Sequence, residues 1–431
     1  MKLAILAGGK GTRLGEVDIP KPMVLIGDKP LLQHQIELAN RYNIKEIYLL
    51  TGYLSDIITS YFGNGKKFGV KIHHIIEEKP LGTAGAIKQL SQLMDDAFLL
   101  FNGDNMMDFN IEKFINHFYA KEPFASIIVH PNDHPRDCDI IELNDDGTVE
   151  KIYTRPHPHE FIYSNLVNAG VFIFNPSIFK YIPSGKADIE ERIFPNLIKS
   201  GKSISAYKTS EYIFDVGTKP RLEQAINDYN HGRIETQNLT NPQRAIFIDR
   251  DGVINKEINH LNKICDFELL PRVIDALKII NNSKYLSIVI TNQAAVAKGI
   301  LTVEELIQIH KKMETLLGNK NVFVNDIYYC PHHPDTNLTN GIKKFIINCN
   351  CRKPKTGMIE KAVKKYNIDL ENSFIIGDKT VDIQMGKNAG LKTILVRTGY
   401  GGSDNLHDCA ADQIFDDLYE SVEFIIKSTD G

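Results

Sequence analysis

Residues 245–255 read AIFIDRDGVIN, and the fold of the second half follows from them. Ala245 to Ile248 are apolar without interruption, the mark of a strand buried on both faces. The run stops at Asp249-Arg250-Asp251-Gly252. Two carboxylates therefore stand at the carboxyl end of a buried strand, the end at which open α/β sheets bind ligands. Asp249 is placed to be a nucleophile and Asp251 a proton donor. The stretch lies past the middle of a 431-residue chain, which leaves room for a whole domain in front of it.

Composition narrows the class. A hydrophobic fraction of 42% and a charged fraction of 24% are those of a soluble globular protein. A formal net charge of −4 gives no overall attraction to nucleic acid or to an anionic membrane. Leu3 to Ala7 is too short for a signal-peptide core, and no run approaches a membrane span. The expectation is a cytoplasmic protein. Three of the six cysteines, Cys330, Cys349 and Cys351, fall in one short region, which suggests metal rather than a disulfide framework.

Working outward from Asp249, residues 273–280 read as a helix and 285–290 as a strand closing on Thr291-Asn292-Gln293. Taken singly, Thr291 would be a helix cap. Cys351-Arg352-Lys353-Pro354 then puts two adjacent cations on a loop, and residues 373–376 form a strand that ends Gly377-Asp378-Lys379-Thr380-Val381-Asp382. Carboxylates, a hydroxyl and a lysine at successive strand ends make phosphatase chemistry: a carboxylate attacks phosphorus while cations hold its oxygens.

Between these motifs lie Cys330-Pro331-His332-His333-Pro334 and Cys349-Asn350-Cys351. Cys330, His332, Cys349 and Cys351 supply the four ligands of a closed zinc site, with His333 as the alternative to His332. Such a site would be structural, turning Arg352 and Lys353 toward the phosphate.

In this order the motifs resemble the haloacid dehalogenase-like phosphatases across residues 244–426, and within them the small heptose 1,7-bisphosphate phosphatases that have no large cap. The resemblance implies a Rossmann-like domain. It makes Asp249 the residue that becomes an aspartyl-phosphate and Asp251 the acid/base. Thr291 and Lys353 would bind the phosphoryl group, with Asn292 and Arg352 beside them as substrate contacts. Asp249, the backbone carbonyl of Asp251, and Asp378 would hold magnesium, and Asp382 would shape the magnesium loop. Gln293-Ala294-Ala295 departs from the branch, which often has Gln-Ser-Gly there; a hydroxyl near the substrate is lost.

The first half opens with a strand, residues 1–7, running into Gly8-Gly9-Lys10-Gly11-Thr12-Arg13. Glycines let backbone N–H groups close on an anion, though alone they equally suit a tight turn. Lys21 follows between Pro20 and Pro22; Leu81-Gly82-Thr83-Ala84-Gly85 permits close approach of a base or sugar; Asp104 and Asp215 each follow an apolar strand.

LAGGKGTRL, KPM, LGTAGAI, NGDN, VNAGVFIF and DVGT, in that order across roughly residues 1–235, resemble the sugar-phosphate nucleotidyltransferases. The resemblance implies a mixed, mostly parallel sheet and displacement at the α-phosphorus of a nucleoside triphosphate. Gly8, Gly9, Gly11, Thr12 and Arg13 would cradle the triphosphate, and Lys21 would neutralise charge at phosphorus. Gly82 and Gly85 would line the base and sugar pocket, Asn168 and Gly170 would contact the sugar, and Asp104 and Asp215 would hold magnesium. Where many members carry Glu-Lys-Pro, this chain has Thr154-Arg155-Pro156; Arg155 keeps a cation for the sugar phosphate but the glutamate is missing. His157 and His159 read as a solvated loop.

The expected organisation is an α/β protein of two domains: residues 1–235, a polar linker over 236–243, and 244–431. A phosphatase that makes a sugar 1-phosphate and a transferase that uses one are consecutive steps. The joint resemblance implies heptose 1,7-bisphosphate, heptose 1-phosphate and GTP as substrates, with guanine and the α-anomer resting on the resemblance alone. A homo-oligomer stays open. The alternatives are the same two chemistries on another sugar, such as a mannose-type transferase beside a histidinol-phosphate-like phosphatase, or a sugar-nucleotide sensor fused to a phosphatase. A polynucleotide end-processing enzyme would need a basic channel and a P-loop kinase, and neither is in the sequence.

Overall fold

The computed structural model describes residues 1–9, 19–338 and 340–429. Lys10, Gly11, Thr12 and Arg13 of the glycine-rich stretch lie outside the described residues. The chain divides into two compact units. Unit 1 comprises Met1–His130, Cys138–Pro156 and Leu166–Asn238; unit 2 comprises Pro131–Asp137, His157–Asn165 and Leu239–Gly431.

Unit 1 is built on a mixed nine-stranded sheet. Its path runs Val149–Tyr153, Ile140–Leu143, Val167–Phe174, Phe98–Asn102, Lys2–Leu6, Glu46–Thr51, Lys71–Ile76. Ala125–His130 pairs with Val167–Phe174 and with Ile204–Lys208. The last four strands of the path are parallel to their neighbours, and Val167–Phe174 lies antiparallel to Phe98–Asn102. The period of two explains why the central strands are apolar throughout. Leu3, Ile5, Leu99 and Phe101 enter the core on one face, and Ala4, Phe98 and Leu100 enter the core on the other. A separate two-stranded ribbon pairs Asn105–Asp108 with Tyr212–Asp215, setting Asp215 opposite Asn105.

Unit 2 carries a six-stranded sheet, parallel throughout, in the order Asp326–Cys330, Tyr285–Asn292, Arg244–Ile248, Phe374–Gly377, Lys392–Val396, Gln413–Phe415. Chain order reverses beside Arg244–Ile248, so the crevice of this doubly wound sheet opens over the carboxyl end of that strand. Ile246 and Ile248 pack into one core and Ala245 and Phe247 into the other, which is why the stretch holds no polar residue before Asp249. The helix Val303–Gly318 begins at a capping box between Thr302 and Glu305.

Two expectations change here. The loop holding His157 and His159 is partly packed in unit 2. His157 stacks on Phe161, and Tyr163, fully buried, donates its backbone N–H to Thr315 Oγ1 at 3.0 Å. The apolar residues after His159 bury the segment. The polar linker expected over 236–243 and the equally polar residues 231–235 before it contain the helix Arg233–Thr236 and two core anchors. Ile234 belongs to a core of unit 1 and Leu239 to a core of unit 2. Two apolar side chains in thirteen positions show no period, so the pattern could not reveal them.

Candidate active sites

In unit 2, three strand ends and one loop deliver one cluster. Asp249 follows Arg244–Ile248, Thr291 lies near the end of Tyr285–Asn292, and Asp378 follows Phe374–Gly377. Lys353 arrives from the loop after the cysteines. Its ammonium is buried 2.8 Å from Asp249 Oδ1 and 2.6 Å from Asp382 Oδ1. Burial works against that charge, but the two carboxylates outweigh it and hold Lys353 protonated above the ordinary lysine range. Asn292 fixes the loop: its Oδ1 accepts the Lys353 backbone N–H at 3.0 Å and its Nδ2 donates to the Lys353 carbonyl at 3.3 Å. Its side chain thus serves the lysine's backbone.

Asp249, Asp378 and Asp382 offer carboxylate oxygens that all lie within 4.8 Å of one another. Burial, and then the charge on Asp249, pushes the Asp378 carboxyl up to about 8. One Asp378 oxygen accepts the Tyr400 N–H at 2.8 Å, while the other is buried with no hydrogen-bond partner among the described residues. Crowded buried carboxylates with an orphaned oxygen fit a hard divalent cation. Asp382, expected only to shape the loop, stands in the cluster; it also accepts the Lys379 N–H at 3.2 Å.

The Asp251 side chain points elsewhere. It accepts hydrogen bonds from Arg250 Nη2 at 2.8 and 2.9 Å, from Gln293 Nε2 at 2.8 Å and from Asn255 Nδ2 at 3.0 Å. Burial raises its carboxyl, but the Arg250 guanidinium and these amides overcome that and hold it below the usual range. Gln293 also donates to Thr291 Oγ1 at 2.8 Å, so Gln293 links the hydroxyl to the carboxylate. Sequence reasoning gave no role to Arg250, Gln293 or Lys379. The Lys379 ammonium pairs with Glu257 at 2.8 Å and lies over the Tyr400 ring. Only chain folding reveals that Lys379 faces this site, because its partners are more than twenty residues away.

The cysteines converge as expected. Cys330, Cys349 and Cys351 place their sulfurs 3.2–3.5 Å apart, and His332 Nδ1 is 3.3 Å from Cys351 Sγ. The sulfurs are too far apart for a disulfide and too close for uncoordinated thiols to prefer, which suits a tetrahedral metal. His333 instead accepts the Asp335 N–H through Nδ1, so the structure brings His332 to the cluster. Arg352 donates to the His332 carbonyl at 3.1 Å, tying the cation loop to the ligand loop.

In unit 1, Lys21 sits in the short turn Lys21–Met23 with its side chain buried. Its ammonium is 2.7 Å from Asp104 and 3.3 Å from Asp215. The ribbon explains the convergence, because Asp104 adjoins Asn105, which pairs with Asp215. Arg221, which sequence reasoning did not single out, holds the other Asp215 oxygen at 2.9 Å. Two carboxylates within reach of one ammonium are a donor set that magnesium can share.

A cleft of about 320 Å³ opens beside this trio, lined by Gly8, Gly9, Lys21, Glu77, Gly82 and Asp104 among others. Gly82 has φ +73° and a Cβ there would stand 2.6 Å from the Ala187 carbonyl, so only glycine fits. Two acceptors in the cleft are orphaned among the described residues: Glu77 Oε1 and Asn102 Oδ1. Burial raises the Glu77 carboxyl. Gly85 is buried in the helix Gly82–Lys88. Asn168 Oδ1 accepts the Gly170 N–H at 2.8 Å. Arg155 is exposed, its backbone N–H on Asp139 Oδ1 at 3.1 Å.

Comparison with known proteins agrees with this geometry. The nucleotidyl transferase family model matches residues 2–232, and a HAD-hydrolase-like model matches residues 350–421. The D-glycero-alpha-D-manno-heptose-1,7-bisphosphate 7-phosphatase of Photorhabdus laumondii is 43% identical over 165 residues, 38% of this chain and 88% of that protein. The UTP--glucose-1-phosphate uridylyltransferase of Synechocystis is 32% identical over 243 residues, 52% of this chain and 62% of that one. A crystal structure of HddC from Yersinia pseudotuberculosis complexed with GMP-PN is 28% identical with a TM-score of 0.47, covering 53% of this chain and 99% of that one. No helix among the described residues is long and apolar enough to cross a membrane. The chain is a two-activity enzyme that belongs through its first half to the nucleotidyl transferase family and through its second to the heptose-bisphosphate 7-phosphatases.

Proposed function

We propose that unit 2 removes the 7-phosphate of D-glycero-D-manno-heptose 1,7-bisphosphate and that unit 1 joins the remaining 1-phosphate to GMP from GTP, releasing pyrophosphate. In unit 2, an Asp249 oxygen attacks phosphorus, and the bond to the sugar oxygen breaks. Asp251 gives that oxygen a proton, then takes one from the water that cleaves the aspartyl-phosphate. Its present grip on Arg250 and Gln293 has to open for this. Lys353 and Thr291 hold phosphoryl oxygens. Asp249 and Asp378, with the Asp251 carbonyl or Asp382, would hold magnesium, which supplies charge neutralisation at phosphorus. In unit 1, Asp104 and Asp215 would hold a second magnesium, and Lys21 supplies the cation at the α-phosphorus. Cytoplasm is the compartment that fits substrates of this kind.

The observation that carries the nucleotide assignment is Glu77. Glu77 is half-buried, and its Oε1 has no donor among the described residues; such a carboxylate can accept two adjacent N–H groups, and guanine offers N1–H beside its 2-amino group. Uracil offers one N–H between two carbonyls, which a carboxylate repels and a carboxamide matches. Glu77→Gln is therefore expected to lower kcat/KM for GTP roughly 10- to 100-fold while raising it for UTP. Mass spectrometry of products from heptose bisphosphate with each nucleoside triphosphate supplied separately tests the whole reading. GDP-heptose from GTP alone supports it, and a UDP-sugar as the main product would transfer the assignment to uridine.

The Cys330, His332, Cys349 and Cys351 cluster is assigned zinc. One zinc per chain is expected by elemental analysis. Cys351→Ser should lose it, with phosphatase rate down about 10-fold or more as Arg352 and Lys353 lose their tether, and pyrophosphate release unchanged. Retention of full phosphatase activity in zinc-free protein would remove the structural role.

A further inference from the structure

The missing glutamate of the transferase half has a replacement from elsewhere in the chain. Glu190 lies in the π-helical segment Ile189–Ile193, and its carboxylate accepts the Asn168 amide at 2.9 Å. Extra-residue turns of this kind recur at functional sites. The segment is anchored to the edge of the nucleotide cleft. Asp188, which lines the cleft, accepts the Thr83 N–H at 3.2 Å, and Ile189 donates its N–H to Thr83 Oγ1 at 2.8 Å. Glu190 is thus held between the Gly82–Lys88 helix and the strand that carries Asn168 and Gly170.

A carboxyl retained only for the fold would be paired with a cation or satisfied by several donors. Among the described residues Glu190 has one side-chain donor, Asn168, with the acids Asp139 and Asp188 nearby. Burial, and to a lesser degree those acids, pushes its carboxyl up to about 7. Its own backbone N–H is the other donor to the carboxylate, and no cation pairs with it among the described residues. A polyhydroxylated ligand carries the O–H groups that are lacking.

We propose that Glu190 is a specificity-determining residue of the transferase site, accepting hydrogen bonds from ring hydroxyls of the sugar 1-phosphate while Asn168 holds the carboxylate in place. The inference rests on the transferase reading of unit 1. Glu190 reads the hydroxyl end of the sugar.

The test is steady-state pyrophosphate release by the full chain and its Glu190→Gln and Glu190→Ala variants. Heptose 1-phosphate, mannose 1-phosphate and the monodeoxy analogues of mannose 1-phosphate are the sugars. The expected result is a KM for sugar 1-phosphate raised about 10-fold or more, with the KM for GTP within about twofold. The wild type should disfavour one deoxy analogue by about 10-fold, and Glu190→Ala should lose that preference. Unchanged phosphatase activity and melting temperature show that the variants are folded. An unchanged KM for the sugar, or a deoxy preference that survives in both variants, overturns the proposal. No pyrophosphate from the wild type with any sugar 1-phosphate overturns the transferase reading and this proposal with it.

Discussion

Asp249→Asn is expected to lower phosphate release from the bisphosphate by about 10⁴-fold or more while pyrophosphate release from GTP and a sugar 1-phosphate continues at the wild-type rate. The amide oxygen is a poor nucleophile; of the other two carboxylates in the cluster, Asp382 is paired with Lys353, and Asp378 holds the Tyr400 N–H through one oxygen. The loss should not come from unfolding. Asp249 is one of three crowded buried carboxylates, and its charge helps to push the Asp378 carboxyl up to about 8. Removing that charge relieves repulsion with Asp378 but loses one of the two partners of Lys353, which keeps Asp382, so the melting temperature in chelator should change little. Phosphate and pyrophosphate assays on the same preparation read both outcomes. Parallel loss of the two activities would mean that the two sites do not work independently.

Lys21→Ala is expected to cut pyrophosphate release by about 10³-fold, mainly in kcat, with phosphatase activity intact. The Lys21 ammonium is buried and lies between Asp104 and Asp215. Without it, the two carboxylates face the incoming triphosphate with one fewer cation between them. The transition state loses a cation where charge builds, and the ground state gains repulsion. Lys21→Arg should restore little, since a planar fork cannot occupy the compact position of an ammonium held by both carboxylates. A variant with wild-type kcat would assign the charge at phosphorus to another cation.

Much of both sites was legible because the chemistry sits at strand ends. Apolar runs such as residues 245–248 and 98–101 announce buried strands, and the polar residue that ends each run must lie at the sheet's edge, where ligands bind. Asp249, Thr291, Asp378 and Asp104 were found this way. The Cys/His cluster was legible from spacing, because Cys-x-His and Cys-x-Cys each bring two possible metal donors close together in the chain.

Other residues could not be read from local pattern. Arg221 matters because it reaches Asp215, Asp382 because it stands beside Asp249 and Lys353, and Glu190 because a π-helical turn meets Asn168. Each lies in a helix, where a charged residue is ordinarily a solvated one. Glu77 precedes Leu81-Gly82-Thr83 by only a few residues, but nothing in its neighbours shows that a carboxylate oxygen is buried without a partner among the described residues.

The sequence by itself determined the two α/β domains, the order of their motifs, and which carboxylates, cations and cysteines stand as candidate site residues, since all of these depend on residue type and on short-range periodicity. Only the tertiary structure decided which of two adjacent histidines meets the three thiols, that Asp251 is gripped by Arg250, that residues 131–137 and 157–165 pack with the second unit, and which carboxylates are left short of donors. Those are matters of distance and desolvation between residues far apart in the chain, and no local pattern encodes them.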